Sequence, residues 1–100
     1  MSEFTLVKKI VNICIQNITD VNYRIGDIVI AKKDSDTTLL IDVTSENFKY
    51  PEDLENIKEK ILSNTKFDEI ILKKMYGKSL RGTPVYNSLM DKGYSLESKF

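Results

Sequence analysis

The residue that most demands an explanation is Asp42, a carboxylate set in the apolar run Thr37–Thr44, TTLLIDVT. A carboxylate in the middle of such a strand costs roughly several kcal/mol unless it is paired, hydrogen-bonded or bound to a cation. Asp42 must therefore have a partner. A second chemical feature is the segment 73–82, KKMYGKSLRG, the one local concentration of positive charge. Gly77 and Gly82 let the backbone approach a ligand closely, Lys73, Lys74, Lys78 and Arg81 supply charge, and Tyr76 could stack a base. These residues suit a phosphate or nucleic-acid contact. An ordinary exposed turn with solvated lysines is the simpler reading, and no P-loop spacing is present. The third is Cys14, on the apolar stripe of a helical segment. With no histidine in the chain and no other activating base, it reads as a small core hydrophobe rather than a nucleophile.

The missing histidine also removes Ser-His-Asp and Cys-His catalysis and every histidine-ligated zinc or haem site. One cysteine cannot form an internal disulfide, so a reducing compartment, the cytoplasm, is expected. No secretory leader and no apolar run of membrane-spanning length is apparent, because charges interrupt each hydrophobic segment. Fifteen basic and fifteen acidic side chains give a formal charge of zero, so no global field draws in nucleic acid or an anionic membrane. Lysine far outnumbers arginine, Ile and Asn are plentiful, and Ala occurs once. AT-rich codons favour that usage, which points to a low-GC bacterium, its mobile element or a virus.

One hundred residues suit a single domain that buries about 60–70% of its unfolded surface. The elements that must position Asp42 follow from patterning. Ile25 and Ile28 to Ala31, then Leu39 to Val43, read as two strands joined through Lys33-Asp34-Ser35-Asp36, whose short polar side chains favour a turn. Consecutive apolar positions at 39–41 predict a strand covered on both faces and so central in its sheet.

Ahead of the hairpin, Val7, Ile10, Val11, Cys14 and Ile18 recur at helical spacing, with Ser2 or Thr5 as caps; a strand over 10–15 is the alternative. The stretch 18–23 is a loop or an edge strand. Beyond Thr44, Pro51 with Glu52 and Asp53 opens a helix whose stripe is Leu54, Ile57, Ile61 and Leu62 and which ends near Asn64. A third strand occupies 67–74. Strand, helix, strand is a crossover unit, which places 67–74 parallel to 37–44 with a right-handed connection. Thr83 and Pro84 open a last helix, lined by Val85, Tyr86, Leu89 and Met90 and closed by Gly93. The expected fold is α+β: a small mixed sheet, hairpin plus parallel strand, packed by three helices. Residues 1–94 form the domain and 95–100 a tail, either disordered in part or docked through Tyr94, Leu96 and Phe100.

The Gly26-Asp27 step entering one strand and Leu40-Ile41-Asp42-Val43-Thr44 in the next resemble the core of the PD-(D/E)xK nuclease superfamily, over residues 4–74. The resemblance implies that Asp27 and Asp42 converge on Mg²⁺ or Mn²⁺, which activates water and stabilises charge on the phosphate being cut. Two departures mark this chain. Gly26 stands in place of the usual proline, and Thr44 in place of the motif lysine, with Lys32 or Lys73 as substitutes that no spacing selects.

Two function classes follow. One is a noncatalytic interaction protein without a cofactor, a regulator or inhibitor that binds a protein partner, with homodimerisation left open. The other is a metal-dependent nuclease, or a degenerate relative, that contacts nucleic acid through 73–82.

Overall fold

A computed structural model describes residues 3–18, 24–44 and 52–98. Three helices and four strands appear among them: α1 (Glu3–Ile18), β1 (Arg24–Lys33), β2 (Asp36–Thr44), α2 (Glu52–Asn64), β3 (Glu69–Lys73), α3 (Pro84–Asp91) and β4 (Ser95–Ser98). The strands form one sheet in the order β3-β2-β1-β4. β2 pairs antiparallel with β1 and parallel with β3, so the expected mixed sheet is present and the strand carrying Asp42 is central in it.

The two central strands owe their length to β-branched residues covered on both faces. On one face Ile28, Ile30, Leu39 and Ile41 pack against Phe4, Val7, Val11 and Cys14 of α1 and Ile57 and Ile61 of α2. On the other face Val29 and Leu40 meet Leu80 from the loop after β3, with Val85 and Tyr86 of α3 and Leu96 of β4 at the margin. This is a helical layer on one side and a loop-and-helix layer on the other.

Helix wins over strand at α1 because its apolar residues recur at three and four positions, which gives a sheet-facing stripe only in a helix. Thr5 lies inside α1 and does not cap it. In α2, Ile57 and Ile61 are fully buried while Leu62 sits at the rim. β3 is shorter than the expected 67–74. Its approach is spent on a junction: the Asp68 carboxylate accepts from Thr37 N and Oγ1, and Asp68 N donates to Thr37 O. Thr83 caps α3, with its hydroxyl accepting from Tyr86 N, and Pro84 fills the first turn. Met90, expected on the inner face of α3, points outward instead, because Val85, Tyr86 and Leu89 already complete the stripe.

The segment expected as a tail enters the sheet. Ser95–Ser98 pairs antiparallel with Val29–Lys32, with Leu96 and Ser98 turned inward. The docked alternative is thus the one adopted up to residue 98. The expectations for Ser2, for 19–23, for the 45–51 connection with Pro51 and for Phe100 lie outside the described residues, as do those for the side chains of Ile18 and Leu54.

Candidate functional site: a basic loop held by two buried carboxylates

Asp27 and Asp42 are each 1% exposed and lie on the sheet face opposite α1 and α2. Asp27 shares the face of Val29, two residues on, by strand alternation, and a slip in the β1–β2 register between Ile25 and Ile28 makes a bulge that lets Ile25 and Ile28, three residues apart, both pack on the opposite face. Bulges re-aim side chains in this way. Asp42, two residues beyond Leu40, shares the face of Asp27 by strand alternation.

Both carboxylates turn out to hold the loop that follows β3. Asp42 Oδ1 accepts from Met75 N at 2.8 Å and Oδ2 from Gly77 N at 2.9 Å. Thr44 completes this half: its hydroxyl donates to Asp42 Oδ1 and accepts from Tyr76 N, both at 3.1 Å. Three successive loop amides are therefore tied to the Asp-Val-Thr triplet of β2. Asp27 holds the next part. Its Oδ2 accepts from Leu80 N at 2.8 Å and from Ser79 Oγ at 3.4 Å, and its Oδ1 from Ser98 Oγ at 2.7 Å.

Hydrogen bonds to an ionised acceptor are about twice as strong as neutral ones, and such a set of donors is what makes a buried carboxylate affordable. Leu80, fully buried between the two anchors, adds an apolar pin. This arrangement forces Tyr76 (φ +56°) and Gly77 (φ +81°) into the left-handed region. For Tyr76 the strain is of order 1–2 kcal/mol, balanced by the bonds on either side.

The basic residues lie on the outside of this loop. Lys73, Lys74, Tyr76, Lys78 and Arg81 are all exposed, Tyr76 to 70%. The Lys74 ammonium sits over the Tyr76 ring, 5.3 Å from its centroid. Arg81 reaches back to donate to Ser98 O at 3.3 Å. All five residues are thus exposed, and the two carboxylates that hold the loop are buried.

Lys32 and Lys73, the substitutes for the missing motif lysine, are placed differently. Lys32 pairs with Glu3 at 3.0 Å, roughly 17 Å along the strand from Asp27 at 3.3 Å per residue. Lys73 lies beside Asp42 in the β2–β3 register, but its side chain is exposed and both Asp42 oxygens are occupied by amide donors. Among the described residues no group of three or more Cys, Asp and Glu side chains could hold a metal ion. No described helix is long and apolar enough to cross a membrane.

Cys14 is buried on α1, its thiol 3.8 Å from Lys60 O. Burial pushes its pKa above the ordinary 9.0, with Lys60 opposing in part, the reverse of what a nucleophile needs. A cavity of about 190 Å³ is lined by Phe4, Thr5, Lys8, Gly26 and Ile28, none of them acidic.

Sequence reasoning missed Thr44, Ser79 and Ser98 as parts of the network. Leu80, an aliphatic residue between Lys78 and Arg81, was the available sign that this loop is anchored. Comparison with protein families, curated proteins and solved structures finds no match.

Proposed function

We propose that this chain is a noncatalytic macromolecular interaction domain, a small cytoplasmic regulator or inhibitor of the kind a virus or mobile element encodes, and that the 73–82 loop is its contact surface. One observation carries the proposal. Each of the four oxygens of Asp27 and Asp42 already accepts a hydrogen bond from the protein. A divalent cation would compete with backbone amides at Asp42 Oδ1 and Oδ2 and at Asp27 Oδ2, and stranding such a donor costs about 1–3 kcal/mol.

The two departures from the nuclease pattern fit the same reading. Thr44 bonds both Asp42 and the loop, where a lysine could donate to the carboxylate but could not accept from Tyr76 N. Gly26 leaves room for the Asp42 carboxylate, where a proline would bring a Cβ against it. A nuclease-like domain that contacts nucleic acid without cutting it is the second reading, favoured by the exposed basic side of the loop.

Incubating the purified chain with Mg²⁺ or Mn²⁺ and mixed DNA and RNA tests the proposal. No cleavage is expected. Cleavage that disappears in a folded Asp27→Asn variant but persists in Asn12→Ala overturns it.

A further inference from the structure

We propose that the loop 73–81 is a contact site for single-stranded nucleic acid, in which the Tyr76 ring stacks a base and Lys73, Lys74, Lys78 and Arg81 meet the backbone phosphates. This rests on the noncatalytic reading above and names the class of partner.

Charge is the first support. Between Glu69 and Asp91 the sequence holds four cations and no acidic side chain, in a protein that is neutral overall. All four are exposed. The two carboxylates below the loop offset part of this charge, so the site suits a weak, salt-sensitive contact with a few phosphates.

Tyr76 is the second. A large aromatic ring left 70% exposed contributes little to the core, yet the fold holds its backbone in a left-handed conformation. The Lys74 ammonium over the ring puts a cation and a π-face in one place, the combination that single-strand binders use for base and phosphate.

Preorganisation is the third. Amides 75, 76, 77 and 80 are tied down before any ligand arrives, so little loop ordering is charged to binding. A single strand fits better than a duplex because a protruding ring requires a base free of its stack.

The test is fluorescence anisotropy with labelled 12-mers of dT and rU at about 50 mM salt, in EDTA. Binding is expected, weakening with salt at a log–log slope of roughly −2 to −3, from about 0.7 per phosphate contact. Tyr76→Asn, which keeps a residue tolerant of positive φ, should weaken binding by roughly five- to a hundredfold, and Tyr76→Phe should retain it. Joint Lys74→Gln and Lys78→Gln substitution should flatten the salt slope by about 1 to 2.

Amide shifts in the wild-type protein provide a readout that needs no variant: oligonucleotide should move Tyr76, Gly77 and Lys78 first. Absence of binding, binding indifferent to Tyr76→Asn, or shifts elsewhere overturns the proposal. Equal competition by poly-glutamate also overturns it and assigns the loop to an acidic protein. Because EDTA excludes cleavage, these failures leave the noncatalytic reading standing, whereas metal-dependent cutting would sink that reading alone.

Discussion

Gly26 and Asp42 meet so closely across the bulge of β1 that a Cβ on residue 26 would lie 2.2 Å from Asp42 Oδ2. Gly26 is required by this approach and not by its backbone angles. Gly26→Ala must therefore push the carboxylate off the Met75 and Gly77 amides. A loss of about 3 kcal/mol in unfolding free energy is expected by denaturant titration, in the range of other overpacked or network-breaking substitutions. A variant as stable as wild type would show that the carboxylate has somewhere else to go.

The two aspartates should respond differently to amidation. Asp42 receives a backbone N–H on each oxygen, and an asparagine there turns its NH₂ toward one of them. Asp42→Asn should cost about 2–4 kcal/mol, from one lost charge-assisted bond and one stranded donor. At Asp27 only Leu80 N is a fixed donor; the Ser79 and Ser98 hydroxyls can rotate to accept. Asp27→Asn should cost about half as much. Comparison of the two denaturation midpoints checks the order, and the reverse order would contradict the hydrogen-bond assignment.

Thr38 carries a fully buried hydroxyl with no hydrogen-bond partner among the described residues. The Tyr94 hydroxyl lies near enough for Thr38 to favour its ionised form slightly, against the stronger effect of Asp36. Thr38→Val keeps the shape and removes the stranded group, so stability should rise by about 1 kcal/mol. A fall in the thermal midpoint would mean that the hydroxyl is satisfied.

Alkaline pH should loosen the attachment of the last helix and strand. The Tyr94 hydroxyl donates to the Asp36 carboxylate, and that bond, with burial, raises its pKa above the ordinary 10.0. A raised folded value means that the stabilisation is complete below pH 10.0 and fades as pH climbs through the folded value. The buried Cys14 thiol, raised above 9.0, acts in the same sense. Unfolding midpoints should drop as the pH rises above 9.0, and Tyr94→Phe should remove the Tyr94 share of the drop. An unchanged pH profile in Tyr94→Phe would rule out that bond as the cause.

The frame of this fold is legible in the chain because its signals are local. Ile70 to Leu72 and Leu39 to Ile41 are apolar runs, a helical segment separates them, and a crossover of that length dictates parallel pairing. Asp42 was marked by being out of place. Its partners were not legible, since Met75 N and Gly77 N are backbone groups more than thirty residues away and carry no residue signature. Ser98 is further still, 71 positions from Asp27. β4 escaped notice for a related reason: four residues with one apolar side chain make no strand pattern alone, and the strand exists because Ala31 opposite Leu96 leaves it room to dock.

Amide hydrogen exchange at Met75, Gly77 and Leu80, followed by NMR on the unmodified protein, tests most directly whether the two buried carboxylates hold this loop. The bonds to Asp42 and Asp27 predict that these three amides exchange slowly, on the scale of the β1–β2 ladder, although the loop's side chains face water. Exchange at the rate of an open surface turn would contradict the account, because the carboxylates would then be free for another use.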